Sequence, residues 1–440
     1  MKFEIDKQTI CDLELFDKAK DQKSIFSLFQ FTKSVGGSDQ LKYLFSNPLN
    51  DVTLIEERIS TIRFFQENVF DINIDKECLH FVEHYLRQGN VPVRFSVGNS
   101  IVNKLFYKNQ PNVQFIIERG IRYLITFLNE IYTFLKELEN TNNEFVNCCR
   151  QSVIDKIENT PLRIVFNFKS RIRLFHYEYF KLDYIFRNSE ISNIRSILFL
   201  IYEIDALKSL AFATEKYGFA YPHFIERSNY MNIQGLFHPL LENPVANDFD
   251  FETGKNLFFL TGPNMAGKST FLKSLSIAVY LSHLGFPVPA KNMETSLFNG
   301  LLTTINLSDN INKGYSHFYN EVLRVKFVAE RINQVGNLFI VFDELFRGTN
   351  VKDAYDASRA VISAFSRLQK GTFAISTHII EIAEKLNDNQ SIFFRFFEAN
   401  LVDDKPQYNY KLKEGVTNER IGMYILKKEK VLETIENGIN

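Results

Sequence analysis

A chain of 440 residues has room for two to three domains, and its 45% hydrophobic content is enough to give each a core. The formal net charge of −1 excludes a polycation that holds nucleic acid by bulk charge, though it leaves room for a local basic face. The opening MKFEIDKQTI lacks the apolar core of a secretion signal, and no run is long and uncharged enough to span a bilayer. Cys11, Cys78, Cys148 and Cys149 show no paired C-x-x-C spacing. The expectation is a cytoplasmic protein with free thiols and no membrane contact.

In chain order, residues 1 to about 225 read as long helices with few Gly or Pro. Between Ile121 and Leu138, for example, Ile121, Leu124, Ile125, Leu128, Ile131, Tyr132 and Leu135 recur at spacings of three and four. Residues 89–112 are richer in Gly, Pro, Asn and Ser and read as a loop. Residues 163–187 interleave Arg163, Lys169, Arg171, Arg173, Lys181 and Arg187 with eight aromatic rings, against only Glu178 and Asp183. Two readings stand: a phosphate-contacting face, or an amphipathic helix with a solvated basic side and a packed aromatic side.

Pro222 and a polar stretch at Tyr221–Gln234 mark a boundary, beyond which short β runs alternate with helices. The predicted strands are Leu257–Leu260, Leu338–Phe342, Thr372–Ser376, Phe393–Glu398 and Tyr408–Leu412. Together they imply a mostly parallel sheet in an α/β domain. The first runs into Gly262-x-x-x-x-Gly267-Lys268-Ser269 and then a helical pattern, the strand–loop–helix context of a phosphate-binding loop. Gly262 and Gly267 let backbone N–H groups face phosphate oxygens, and the following helix turns its positive end to the same anion. Lys268 brings a mobile charge to the β- and γ-phosphates, and Ser269 a hydroxyl for Mg2+. The second strand ends in Asp343-Glu344, the first carboxylate suited to the metal and the second to polarising an attacking water. The third ends in Ser-Thr-His378, at the sheet edge where ligands of open α/β sheets bind.

The loop GPNMAGKST resembles that of the MutS family of DNA mismatch-repair ATPases, within the wider ABC-type group. Other blocks follow in family order: IDKQTICDLELF and TKSVGGSDQLKYLFSNPLNDVTLIEERISTI near the start, YEIDALKSLAFATEKYGFAYP, FHPLLENP, GFPVPA, STH and YKLKEGVTNERIGMYI. The resemblance covers nearly the whole chain. It implies a multidomain protein, with an all-α core/lever domain over 1–225 followed by an α/β P-loop ATPase domain over 226–440. It also implies ATP and Mg2+, with Gly262, Pro263, Asn264, Met265, Ala266, Gly267, Lys268, Ser269 and Thr270 on the nucleotide. Ser269 and Asp343 would hold the metal, while Glu344, Lys268 and His378 would be catalytic. The family's ATPase domains pair head to tail, so a homodimer is implied. In it Ser316, within GYSHFYNEV, would reach the partner's nucleotide, and Phe346 to Asn350 would lie at the interface.

Departures bear on function. The chain opens where the family's core domain opens, so the mismatch-reading and connector domains are expected to be absent. The span from Leu13 to Gly262 is short by about the length of the DNA clamp, which is expected to be reduced or lost. Little length remains for the terminal dimerisation element, and Phe346 and Ala354 replace usual glycines. Two readings of function result. The first is a MutS-like ATPase acting on DNA or with a repair-protein partner, in which ATP closes the dimer and moves helical levers. The second is an ATP-gated protein-interaction module that never grips DNA.

Overall fold

The computed structural model describes residues 2–17, 23–68, 76–89, 92, 111–138, 141–169, 174–251, 254–306, 317–368, 370–402 and 405–417. In chain order the first half holds β1 (Glu4–Ile5), α1 (Lys7–Asp12), α2 (Val35–Ser46), α3 (Val52–Glu67), α4 (Lys76–Leu86), α5 (Pro111–Glu137), α6 (Glu144–Glu158), α7 (His176–Tyr184) and α8 (Ile191–Tyr217). The second half holds β2 (Pro222–Phe224), β3 (Met231–Leu236), β4 (Asn247–Phe251), β5 (Leu257–Thr261), α9 (Lys268–His283), β6 (Asn292–Thr295) and β7 (Gly300–Thr304). It continues with α10 (His317–Val335), β8 (Leu338–Asp343), α11 (Val351–Phe365), β9 (Thr372–Ser376), α12 (Ile380–Leu386), β10 (Ile392–Val402) and β11 (Lys405–Glu414). Among the described residues no helix is long and apolar enough to cross a membrane.

Packing divides the chain into two compact units. One comprises Gln30–Ser46 and Ser60–Ala213, and the other Met1–Phe29, Asn47–Ile59 and Thr214–Asn440. The first has helices and no strand among its described residues. In α5 the residues Ile121, Leu124, Leu128, Ile131 and Leu135 are all buried, as their spacing requires. The aromatic-basic segment is split by the packing. Tyr179, Phe180 and Phe186 are core residues, whereas Phe175 and Tyr177 are exposed and stacked on each other. Arg187 is no phosphate contact: it is buried, with Nε 2.7 Å from Asp183 Oδ1, and Tyr85 donates to the same oxygen at 2.8 Å. Such a pair is kept inside because removing one partner would strand the other's charge. Arg171 and Arg173 lie outside the described residues.

The second unit contains a seven-stranded sheet in the order β1-β7-β8-β9-β5-β10-β11 and a four-stranded sheet in the order β2-β6-β3-β4. All pairs of the larger sheet are parallel except β10 with β11. The five predicted strands are all in it. The stretch read as a boundary instead forms β2 and β3 of the smaller sheet.

The unit also takes in residues that the sequence reading had assigned to the helical half. β1 lies beside β7, pairing Glu4 with Gly300 and Ile5 with Leu301. The buried Asp12 carboxylate accepts from Thr303 Oγ1 at 2.8 Å, Ile305 N at 2.9 Å and Asn306 N at 3.1 Å. A two-residue strand has no legible period, so nothing local announces this pairing.

Asn47–Ile59 is tied in through His283, at the end of α9. Its Nε2 accepts from Phe298 N at 3.2 Å, which fixes the proton on Nδ1, 3.0 Å from Leu49 O. Full burial lowers its pKa from 6.5 to about 4, against the opposing pull of the Leu49 carbonyl. The unfolded chain therefore binds a proton below pH 6.5 that the folded chain refuses until about pH 4, and stability falls as pH drops through that window. The difference corresponds to about 3 kcal/mol. His283→Gln keeps one donor and one acceptor without titrating. Its urea midpoint should fall less steeply than that of the parent between pH 6.5 and 4. Parallel curves for the two proteins would contradict this account.

Candidate nucleotide site

The site grows from strand register. Leu260 of β5 and Asp343 of β8 both pair with Ser376 of β9, so three strands end together. Each is a continuous apolar run buried along its whole length, as expected of central parallel strands. Their carboxyl ends bring three separate chain segments to one edge: the glycine loop after β5, Asp343-Glu344 after β8 and His378 after β9.

The loop adopts the conformations its glycines permit. Gly262 has φ +148°, and a Cβ there would lie 2.9 Å from the Phe397 carbonyl oxygen. Gly267 (φ +102°) precedes α9 and gives that helix no side-chain cap, so its first N–H groups are left to other acceptors. Lys268 Nζ donates to Gly262 O at 2.9 Å and Pro263 O at 3.2 Å, and lies 3.8 Å from Glu344 Oε1. Burial lowers its pKa, and the Glu344 and Asp343 carboxylates only partly restore it.

Glu344 is the centre of the charge arrangement. Arg347 Nε is 2.9 Å and His378 Nδ1 3.3 Å from its Oε2. Burial alone would raise its pKa, but the His378 hydrogen bond and the Arg347, His378 and Lys268 charges outweigh burial and hold it below the usual carboxylate range. Asp343 is buried and accepts from Ser376 Oγ, with Arg347 also bonded to its backbone oxygen at 3.2 Å. Glu344 (φ +58°) and Phe346 (φ +60°) both hold left-handed backbone without being glycine.

Beside the loop opens a cavity of about 520 Å³. Asn264, Met265, Gly267, Lys268, Ser269, Thr270 and Glu344 line it, and Phe237, His238, Leu241, Phe271 and Tyr410 contribute rings and apolar surface. Burial, then the Lys273 charge, lowers the His238 pKa to about 4, so this ring is neutral near pH 7. Asp343 and His378 are not among the residues that line the cavity. Ser316 lies outside the described residues. Sequence reasoning missed Arg347 and Tyr410. The local order Asp-Glu-x-x-Arg offers an i,i+3 pairing that could have pointed to the first. Tyr410 reaches the cavity only through the β10–β11 hairpin.

The strand–glycine loop–helix on a parallel sheet defines an α/β fold of the P-loop class. Residues 258–437 match the family description MutS domain V. The chain is 26% identical over 326 residues to the DNA mismatch repair protein MutS of Brevibacillus brevis, covering 70% of this chain and 37% of that protein. It is 27% identical over 391 residues to the MutS of Leuconostoc citreum, covering 86% and 43%. To the DNA mismatch repair protein MSH3 of Vanderwaltozyma polyspora it is 27% identical over 267 residues, covering 58% and 25%. The similarity to MutS proteins thus extends beyond domain V over most of the chain. The matches span about a quarter to two fifths of the length of these relatives.

Gly262→Ala tests the loop geometry. The added methyl meets a backbone oxygen in a φ region hostile to side chains, at a cost of about 1–3 kcal/mol. The variant should unfold at lower urea and bind nucleotide more weakly in an equilibrium titration. Unchanged affinity would mean that the loop is not the anion cradle.

Proposed function

We propose that the chain is a MutS-like ATPase that binds ATP with Mg2+ at this site, hydrolyses it, and acts in DNA mismatch repair or related DNA metabolism in the cytoplasm. The observation that carries the reading is the polarity of the cavity. Its lining brings Lys268 and a helix N-terminus without a side-chain cap, both suited to an anion, together with the rings of Phe237, His238, Phe271 and Tyr410, suited to a base. The match of residues 258–437 to MutS domain V supports the same reading.

Each residue has a role that its surroundings suit. Lys268, now held on loop carbonyls and near Glu344, would exchange these weak partners for phosphate oxygens. Gly262 to Thr270 would supply the backbone cradle. Ser269 and Asp343 would hold the metal, and a hydroxyl with a carboxylate is the hard-oxygen donor set that Mg2+ takes. Bound there, Mg2+ would neutralise phosphate charge. Glu344, kept ionised by its neighbours, would accept the proton of the attacking water, and His378 would orient it.

In the proposed homodimer the two ATPase domains pair head to tail, with Ser316 reaching the facing nucleotide. ATP can drive closure only by binding the closed state more tightly than the open one. The helical unit, Gln30–Ser46 and Ser60–Ala213, would then act as the lever.

Lys268→Ala should abolish ATP binding. Glu344→Gln should keep binding, lower turnover by about a hundredfold or more, and accumulate ATP-bound dimers in size-exclusion chromatography. A parental turnover rate in Glu344→Gln would remove it as the base. Binding to a perfect, a mismatched and a branched duplex at one salt concentration, with and without ATP, tests the DNA reading. ATP-dependent binding supports it. Binding to none of the three replaces it with the interaction-module reading.

A further inference from the structure

Glu344 is held by Arg347, and Arg347 is in turn held by a residue on another element. Glu321, in the second turn of α10, is 5% exposed, and its two oxygens are spent on the loop after β8. Oε1 accepts from Arg347 N at 3.2 Å and Oε2 from Gly348 N at 3.3 Å, with His317 Nδ1 3.5 Å from Oε2. Two consecutive backbone N–H groups aimed at one carboxylate form a bidentate hold, which fixes direction as well as distance.

Two further features press the loop onto the same helix. A Cβ on Gly348 would lie 2.7 Å from Phe318 N and 2.9 Å from His317 Cβ, so only glycine permits this approach. The buried Phe346 ring packs on Phe318 with centroids 5.5 Å apart. With its backbone fixed at both ends, Arg347 lays its guanidinium across Glu344 and the Asp343 carbonyl.

We propose that Glu321 is a positioning residue for Glu344, acting through Arg347: it sets the loop backbone, the backbone sets the guanidinium, and the guanidinium sets the carboxylate. The inference rests on the hydrolysis reading above. Glu321 is not among the residues that line the cavity, so ATP affinity should be insensitive to it, whereas turnover should not. A misplacement of the order of an ångström in a catalytic group costs about a hundredfold in rate.

The test is a double-mutant cycle with Glu321→Gln and Arg347→Ala in the full chain, measuring kcat, KM and equilibrium ATP affinity. Amide exchange of the 343–350 segment is followed by mass spectrometry in the same proteins. Glu321→Gln conserves volume but turns an N–H2 toward a backbone N–H. It should lower kcat about tenfold or more, leave ATP affinity within about twofold, and speed exchange of the segment. In the Arg347→Ala background the same substitution should lower kcat by less than about twofold, because the route is already cut. Multiplicative losses, or a parental kcat in Glu321→Gln, overturn the proposal. If the parent protein hydrolyses no more ATP than Glu344→Gln, the hydrolysis reading fails by itself. Exchange then decides the hold: faster exchange in Glu321→Gln supports it, and unchanged exchange refutes it.

Discussion

A carboxylate removed from water must be balanced by charge, and the arrangement around Glu344 is organised by that need. Lys268, Arg347 and His378 arrive from three chain segments and converge on one side chain. Without them, partial burial would push the carboxyl toward its neutral form. With them it stays ionised. The same contacts hold Lys268 close to the glycine loop. This charge balance depends on register: Leu260 and Asp343 both pair with Ser376, and a shift of one residue in either ladder would turn these side chains to the opposite face.

The parts of the site legible in the sequence are those written locally. Gly262, Gly267, Lys268 and Ser269 lie within eight consecutive residues, Asp343-Glu344 follows directly on an apolar run, and His378 stands three residues after the apolar Phe373–Ile375. Strand ends of parallel sheets collect at one edge, so local strings sufficed to bring them together. Arg187 shows the opposite case. Counted as one of a row of basic residues it suggests a charged face, yet the helix turns it inward onto Asp183 and Tyr85. Tyr410 lies well over a hundred residues from the glycine loop, and no pattern within the hairpin marks it. Ser316 and residues 418–425 of the terminal family block fall outside the described residues.

Phe346 illustrates how a local rule can be broken at a site. A left-handed backbone costs a residue with a Cβ about 1–2 kcal/mol, which is why glycine is the ordinary occupant. Burying a phenylalanine side chain returns about 1.5–3 kcal/mol. At 3% exposure and against Phe318, Phe346 recovers what the backbone loses. An anchored residue thus takes a backbone conformation that favours a permissive one, in the loop that carries Arg347.

The same logic explains why the first residues of the chain pack with the phosphate-binding unit. Arg324 of α10 donates to Asp6, to Thr304 Oγ1 at 3.0 Å and to Thr303 O at 2.7 Å, while Arg331 lies 2.8 Å from Glu4. Burial would raise the Asp6 carboxyl, but Arg324 and Thr9 hold it below its ordinary value, so this is a charged and hydrogen-bonded junction. It fixes α10 along its length to β1 and β7. Glu321 belongs to that same helix. The position of the loop bearing Arg347 is therefore set on one side by the end of β8 and on the other by a helix whose own anchors are the opening strand and its flanking acids. The Glu344 carboxylate is in this way supported from residues more than three hundred positions away in sequence, through rigid elements rather than through the loop itself.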